Sequence, residues 1–285
     1  MPELPEVEVL VRHLAPLLKN RTVRQVTVQR AKTISPASAP EWNTALRGAR
    51  FDRLTRRGKY LVLRLGWPGR KTNATLLVHL GMTGRLYLQP AQRPWPKHAA
   101  VVFHLGRVSL VFEDPRYFGR LSLDPQPLTR LGPEPLDDSF TLEYLRQALR
   151  RSSQAIKIRL LDQALVAGIG NIYASEALFQ AGISPRLSAR RLSPAQVGRL
   201  WQAIRDVLSQ AIAGGSTVPL DWAGTPRGDR LFYYGRAADT PEEYAERLTV
   251  YDRQGRPCVR CGRPIQRLRQ AGRSTYFCPH CQRAR

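Results

Sequence analysis

Four cysteines near the end of the chain place the tightest constraint on how it can fold. They form two pairs, Cys258-x2-Cys261 and Cys278-x2-Cys281, with sixteen residues between the pairs. This spacing is typical of a single tetrahedral site in which four thiolates hold one structural Zn²⁺. Two disulfides or a redox pair are the alternatives, but the opening MPELPEVE lacks the features of a secretory signal, and disulfides are uncommon in the cytosol. The sequence therefore predicts a hairpin whose two ends are held together by one zinc ion. It also predicts a cytoplasmic protein.

The charge balance indicates a polyanionic partner. Lysine and arginine total 45 against 22 acidic residues, a net charge of +23. Such a field attracts polyanions, so nucleic acid is the leading partner, with anionic membrane surfaces or polyphosphate as alternatives. Arginine-favouring codon usage is a simpler explanation for the choice of arginine, but it does not explain a twofold excess of basic over acidic residues. No apolar run is long enough to span a membrane.

Hydrophobic periodicity predicts an α+β, multi-domain fold. Apolar residues at Val7, Leu10 and Leu14 give a first helix one apolar face. Short β-rich runs follow between Thr22 and Phe112, with Gly106-Arg107 placed as a hairpin turn. We therefore expect an N-terminal antiparallel β-sandwich with a helix packed on it.

The second half of the chain has helical periodicity. We expect residues 1–130 to form the β-sandwich, 131–139 a linker, 140–247 a helical domain and 248–285 the zinc finger. Ser193-Pro194 is a typical helix start, and Gly214 with Gly215 is a typical helix end. The polar stretch 216–247 at the end of the helical domain is expected to be a mobile loop.

Several motifs occur in order along nearly the whole chain. They are MPELPEVE at the start, RRGKYL (56–61), HLGMTGRL (79–86), EDPRYFG (113–119), LGPEPL (131–136), the segment 155–185 and the cysteine segment. Together they resemble the formamidopyrimidine-DNA glycosylases, which remove oxidised purines from DNA. The resemblance implies a monomeric enzyme that excises 8-oxoguanine and formamidopyrimidines from double-stranded DNA. It also implies that the enzyme is an AP lyase, which cleaves abasic sites by β,δ-elimination.

The first residues are the candidate catalytic group. If Met1 is removed, Pro2 carries a free secondary amine, which forms an iminium directly with a sugar C1′, and Glu3 and Glu6 can move protons. The resemblance implies that Pro2 is the nucleophile, that Glu3 assists ring opening and that Glu6 supports the site. It also implies that Lys59, in RRGKYL, meets the DNA near the lesion.

A glycosylase must take its target nucleotide out of the base stack and fill the gap. The resemblance assigns gap filling to Met82, Arg116 and Phe118, with Arg116 pairing to the orphaned cytosine. On the residues alone, core packing is the favoured interpretation of Met82 and Phe118, and gap filling rests on the resemblance. We expect His98 to contact the DNA backbone, and the role of His79 stays open.

The segment from Ile156 to Gly182 resembles a helix–two-turn–helix motif. Its glycine-rich break lets backbone N–H groups approach a phosphate at a helix start. The resemblance implies that Lys157 and Asn171 bind phosphate, that Glu176 lies near the lesion pocket, and that Arg273 in the zinc hairpin binds a further phosphate.

One region departs from the family pattern. Residues 216–247 fit poorly, and Tyr251-Asp252-Arg253 stands where the family has Tyr-Gly-Arg. Two alternatives therefore remain: an endonuclease VIII-like glycosylase for oxidised pyrimidines, and a non-catalytic zinc-containing DNA-binding factor. The Pro-Glu pair at positions 2 and 3 distinguishes the enzyme from the binding factor.

Overall fold

The structure, a computed structural model, describes residues 2–36, 38–214 and 248–283. These residues form two compact units, one ending at Thr129 and one starting at Arg130. The predicted loop 216–247 lies outside the described residues. Over the described ranges, no helix combines the length and the apolar character that a membrane span requires.

The first unit begins with the predicted amphipathic helix. Helix α1 spans Leu4–Leu18, and Pro5 occupies its first turn, where a missing N–H does least harm. Glu3 is the N-cap of a capping box in which the Glu3 and Glu6 side chains satisfy each other's backbone N–H groups. Val7, Leu10 and Leu14 are buried in the unit's core. A second, short helix, α2 (Ala39–Leu46), was not predicted.

The described part of the first unit also contains nine strands. They are β1 (Gln25–Val28), β2 (Ile34–Ser35), β3 (Arg50–Arg57), β4 (Tyr60–Gly66), β5 (Asn73–His79), β6 (Arg85–Pro90), β7 (Ala99–His104), β8 (Val108–Glu113) and β9 (Arg120–Ser122). One sheet has the strand order β1-β7-β8-β6 and the other β2-β9-β5-β4-β3. Apolar side chains from both sheets and from α1 share one core, so the predicted β-sandwich with a packed helix is confirmed.

The strand pairing also confirms the predicted hairpin. Strands β7 and β8 pair antiparallel, and the Leu105 N–H donates to the Val108 carbonyl at 3.0 Å across the turn. Gly106 has a φ of +98°, a conformation that favours glycine. One pair departs from the antiparallel expectation, because β2 and β9 run parallel over two residues.

The second unit contains four α-helices among its described residues. They are α3 (Leu142–Arg150), α4 (Ile156–Leu160), α5 (Asn171–Ala181) and α6 (Pro194–Ala213). Ser193 caps α6 as predicted. Helix α4 is shorter than its apolar pattern suggests, because side chains beyond Leu160 bind the backbone of the following turns. The Asp162 carboxylate accepts from the Ala164 N–H, and the Gln163 amide bonds to Gly168 and Ile169.

Residues 131–139, for which the sequence suggests a linker, pack on the helices of the second unit. The Gly132 N–H donates to the Gln163 carbonyl at 2.8 Å. The guanidinium of Arg205, on α6, donates to the carbonyls of Pro135, Leu136 and Asp137. Although its composition is turn-rich, this segment is therefore held against α6 by hydrogen bonds.

The cysteine segment belongs to the second unit and forms the predicted hairpin. Strands β10 (Gln266–Gln270) and β11 (Arg273–Phe277) pair antiparallel. The hairpin docks on α5: Phe179 shares an apolar cluster with Cys258 and Cys278. The guanidinium of Arg260 donates to the carbonyls of Phe179 and Gln180 at the end of α5, at 3.0 and 3.1 Å.

Candidate functional site

The start of α1 gathers Pro2 and two carboxylates. All three residues, Pro2, Glu3 and Glu6, are buried. The Glu3 N–H donates to Glu6 Oε2 at 2.8 Å, and the Glu3 side chain accepts from the Glu6 backbone. The capping box therefore fixes both carboxylates next to Pro2, an arrangement suited to a nucleophile with adjacent proton-transfer groups.

An ion pair ties α1 to the turn that carries Lys59. Arg56 Nε donates to Glu8 Oε2 at 2.9 Å, and Arg56 Nη1 donates to the Gly58 carbonyl at 3.2 Å. Burial raises the pKa of Glu8, but hydrogen bonds from Arg12 and Arg56 outweigh it and hold the pKa below its ordinary value. Sequence reasoning did not single out this pair, because Glu8 and Arg56 are 48 residues apart. Local spacing indicates only the second partner of Glu8, Arg12, which lies four residues later on α1.

One end of the larger sheet brings together basic and aromatic groups from three strands. Strand pairing places Tyr60 opposite His79 and His79 opposite Arg120. The ring of Tyr60 lies 4.9 Å from that of His79. Lys59 is buried beside this end of the sheet. Burial, together with the charges of Lys59 and Arg120, lowers the pKa of His79 to about 4. Because Nδ1 accepts the Gly81 N–H at 3.2 Å, the neutral ring carries its proton on Nε2.

We expect His79 to make the fold sensitive to mild acid. Its pKa is about 4 when folded and near 6.5 when exposed, so the unfolded state binds more protons in this window. The free energy of unfolding should fall as pH drops from about 6.5 toward 4, by up to roughly 3 kcal/mol from this group. Chemical denaturation across this range, compared with His79→Gln, isolates the contribution. A variant with the same pH dependence as the wild type would contradict it.

The three side chains assigned to gap filling lie on two loops beside this end of the sheet: a first loop, residues 80–84, carries Met82, and a second loop, residues 114–119, carries Arg116 and Phe118. Met82 is 39% exposed and Phe118 is 51% exposed, so neither is a core side chain. The Arg116 guanidinium lies 4.7 Å from the centre of the Phe118 ring. His98 lies near the second loop, with Nδ1 3.3 Å from the Tyr117 hydroxyl. Arg116 is exposed as well, so all three side chains assigned to gap filling are accessible on these two loops.

The side chain of Lys157 is not positioned for the direct phosphate contact that was predicted. Its side chain is fully buried, and Nζ donates to Ser175 Oγ at 2.7 Å and to the Asn171 carbonyl at 3.1 Å. An ammonium group without exposed surface cannot touch a phosphate in this conformation. Lys157 instead places a buried positive charge beside the first turn of α5.

Asn171 is the first residue of α5, after the N-cap Gly170. Its Nδ2 donates to the Ser274 carbonyl at 2.9 Å, which links the helix start to the zinc hairpin. Arg273, the next residue toward the turn of that hairpin, is exposed. The start of α5 and Arg273 thus lie on neighbouring parts of the second unit, where backbone N–H groups and a guanidinium can face one anion.

Glu176 binds the backbone of residues 249–251 through both carboxylate oxygens. Oε2 accepts from the Thr249 N–H at 2.9 Å and from the Thr249 hydroxyl. Oε1 accepts from the N–H groups of Val250 and Tyr251 at 3.0 and 2.8 Å. Glu176 also borders a cavity of about 400 Å³ that is lined by α5, α6 with the following Gly214, residues 248–249, and Val259 and Arg260 of the cysteine segment. Its carboxylate is engaged by the backbone N–H groups of residues 249–251, and its placement near the lesion pocket stays a prediction.

The structure explains the departure at Asp252. This residue has a φ of +57°, a left-handed conformation that favours the glycine of the family pattern. Aspartate tolerates this region better than most residues. Its Oδ1 also accepts the Tyr276 hydroxyl at 3.1 Å, a hydrogen bond that glycine cannot make.

The four cysteines fit a tetrahedral zinc site. Their Sγ atoms all lie within 4.8 Å of one another. The Cys258–Cys281 and Cys261–Cys278 distances are 3.9 and 3.5 Å. Four sulfurs at Zn–S bond length lie about 3.8 Å apart in a tetrahedron. These separations are too long for disulfide bonds, and all four cysteines are free. The donor set fits one structural Zn²⁺, held by Cys258, Cys261, Cys278 and Cys281.

Comparison with known families divides the chain into three matched regions. Residues 1–121 match the formamidopyrimidine-DNA glycosylase N-terminal domain. Residues 131–221 match the H2TH domain of the same glycosylases. Residues 255–284 match a zinc finger found in FPG and IleRS.

Full-length relatives give the same result. The chain is 42% identical over 283 residues to the formamidopyrimidine-DNA glycosylase of Carboxydothermus hydrogenoformans, covering 99% of this chain and all of the relative. A Lactococcus lactis FPG mutant, solved with Fapy-dG containing DNA, has a TM-score of 0.88 at 31% identity, with 99% of this chain and 100% of that chain covered. The FPG protein of Thermus thermophilus has a TM-score of 0.81 at 38% identity, with 99% and 98% covered.

Three features define a DNA-repair glycosylase: the β-sandwich preceded by a helix with Pro2 and Pro5 at its start, the helix–two-turn–helix domain and the four-cysteine finger. The chain belongs to the formamidopyrimidine-DNA glycosylase family.

Proposed function

We propose that this chain is a bifunctional DNA glycosylase and AP lyase that excises 8-oxoguanine and formamidopyrimidines from double-stranded DNA in base excision repair. The observation that carries the proposal is the buried group at the start of α1. There Pro2 adjoins Glu3 and Glu6, and each of these carboxylates accepts a hydrogen bond from the backbone N–H of the other glutamate. A DNA-binding factor without catalytic activity has no use for a nucleophile beside two proton-transfer groups.

In the first step, removal of Met1 exposes the Pro2 secondary amine. A free α-amino group titrates near pH ~8, so a useful fraction is neutral at physiological pH. The Pro2 nitrogen attacks C1′, the glycosidic bond breaks and the damaged base leaves with a proton. Glu3 assists opening of the sugar ring, and Glu6 holds the Glu3 backbone in place. The product is an iminium between Pro2 and C1′.

The iminium then permits strand cleavage. It acidifies the C2′ protons, so loss of one proton expels the 3′ phosphate by β-elimination. A second elimination expels the 5′ phosphate, and hydrolysis releases Pro2. Lys59, buried near the sheet end that carries His79, supplies positive charge toward the DNA at the lesion.

We assign base extrusion to residues 1–130 and duplex binding to the remaining residues. Met82, Arg116 and Phe118 fill the gap, and His98 contacts the DNA backbone. In the second unit, Asn171 and Arg273 bind phosphate. The buried charge of Lys157, next to the first turn of α5, attracts the same phosphate without contacting it. Glu176 lies beside the lesion pocket and holds the chain at residues 249–251.

The zinc finger orients Arg273 on its hairpin, while its Zn²⁺ stabilises the fold and takes no part in the reaction. We further propose that the protein acts as a monomer on chromosomal DNA in the cytoplasm. Its partners are duplexes that contain an oxidised purine or an abasic site.

Affinity for duplex DNA should depend steeply on salt. With a net charge of +23, binding displaces counterions from the phosphates that the protein neutralises. The slope of log affinity against log salt should be roughly −0.9 per phosphate neutralised. Arg273→Gln should reduce the slope by about one contact, whereas Arg12→Gln, at an exposed residue paired with Glu8, should leave it unchanged. A flat salt response would contradict the charge argument.

A panel of lesions tests the proposed substrate class. Duplexes with a single 8-oxoguanine, formamidopyrimidine or thymine glycol opposite its normal partner are incubated with the protein, and released bases and cleaved strands are quantified. We expect fast release of both oxidised purines, and strand ends carrying phosphates on both sides of the gap. Preferential release of thymine glycol would favour the oxidised-pyrimidine alternative, and binding without release would favour a non-catalytic factor.

A further inference from the structure

Two loops in the first unit are in direct backbone contact. The first loop, residues 80–84, carries Met82, and the second loop, residues 114–119, carries Arg116 and Phe118. A Cβ added to Gly81 would lie 2.6 Å from the Gly119 nitrogen and 2.7 Å from the Phe118 carbonyl carbon. This approach, together with a φ of +64°, restricts position 81 to glycine. The backbones of the two loops are therefore packed directly against each other at Gly81.

The carboxylate of Asp114 joins the same two loops. Asp114 is fully buried, and its Oδ1 accepts the Thr83 hydroxyl of the first loop at 2.5 Å. Oδ1 also accepts the Arg116 N–H at 3.1 Å, and Oδ2 accepts the Gly119 N–H at 2.7 Å. One buried carboxylate thus fixes the start and the end of the second loop and anchors it to the residue after Met82.

We propose that Asp114 is a positioning residue that joins the two loops through Thr83, so that Met82, Arg116 and Phe118 enter the DNA as one wedge. This inference rests on the proposed function and adds to it a specific means of gap filling. Asp114 has no exposed surface, so it acts through the backbone of the second loop and the Thr83 hydroxyl rather than on the DNA itself.

Gap filling explains why the two loops need to be held together. Three side chains must replace one extruded nucleotide at the same time, and unstacking the neighbouring bases is costly. A wedge whose parts are already held in position loses less conformational entropy on entry than two separate loops. Hydrogen bonds to a buried carboxylate are stronger than those between neutral groups, so they suit this restraint.

Thr83 offers a matched pair of variants. Thr83→Val keeps the shape of the side chain but removes the donor to Asp114, while Thr83→Ser keeps the donor. A duplex carrying 8-oxoguanine, with 2-aminopurine next to the orphaned cytosine, reports wedge entry as a fluorescence rise after rapid mixing. Borohydride trapping on a single-stranded abasic oligonucleotide reports the chemistry of Pro2 without gap filling.

We expect Thr83→Val to slow the fluorescence rise and 8-oxoguanine excision by roughly tenfold, the effect of losing one hydrogen bond to a charged group. Trapping on single-stranded abasic DNA should stay at the wild-type level, and Thr83→Ser should restore wedge entry. A wild-type fluorescence rise in Thr83→Val overturns the proposal, as does an equal loss in both assays. Failure of the wild type to trap abasic DNA would instead overturn the proposed function.

Discussion

Replacing Pro2 with glycine is expected to lower the rate of 8-oxoguanine excision on the order of 100-fold, the scale of cost for misplacing a reacting atom. Glycine leaves a primary amine, which forms a less reactive imine, and it removes the ring that holds the nitrogen in one orientation. Borohydride trapping should fall in parallel. Duplex affinity should persist, because Asn171, Arg273 and the basic surface are unchanged. Single-turnover kinetics and a gel-shift titration measure the two effects separately.

Pro5→Gly is the matched control for this change. Pro5 lies in the first turn of the same helix, so its replacement loosens α1 while leaving the nucleophile intact. Pro5→Gly should retain excision once any loss of thermal stability is taken into account. Full excision activity in Pro2→Gly, or an equal loss in the two variants, would contradict the assignment of Pro2 as the nucleophile.

The second large effect is expected at the zinc site. Cys278→Ser removes one of four ligands, and a structural zinc site contributes on the order of 10 kcal/mol to folding. Cys278 is buried in a cluster with Phe179, Val250 and Ile265. Loss of metal should therefore unfold the hairpin, release its contact with Asn171 and remove specific DNA binding. Metal analysis by mass spectrometry, far-UV circular dichroism and DNA titration follow these losses.

Val259→Ser serves as the control for the zinc site. Val259 is 59% exposed and lies between Cys258 and Arg260, so serine there leaves all four thiolates in place. This variant should retain one zinc per chain and wild-type DNA binding. An unchanged zinc content in Cys278→Ser would contradict the four-thiolate site, and wild-type DNA binding after metal loss would contradict the proposed role of the hairpin.

Local sequence patterns predicted those elements in which apolar periodicity is strong. Helix α1, the hairpin of β7 and β8, and the N-cap at Ser193 follow directly from spacing and turn chemistry. Strand β3 was not predicted, because RFDRLTRR has no alternation of apolar and polar residues. It is stabilised by pairing with β4 along its length and by contact with α1, which are long-range effects.

The candidate site shows the same limit at the level of single residues. Lysine is a residue type that commonly binds phosphate, which is why Lys157 was predicted to do so. Its burial beside Ser175 depends on how α4 packs against α5, and the local sequence does not specify that packing. Asp114 was overlooked, although an aspartate directly before a proline, as in EDPRYFG, is typical of a side chain that binds the backbone of its own loop. Its bond to Thr83, 31 residues earlier, could only be found in three dimensions.

Borohydride trapping on duplex DNA that carries one 8-oxoguanine opposite cytosine, followed by peptide mapping of the adduct by mass spectrometry, tests directly whether Pro2 is the nucleophile. We expect a covalent adduct on an N-terminal Pro2 with Met1 removed. An adduct on a lysine such as Lys59, or no adduct with either this duplex or an abasic one despite tight binding, would contradict it.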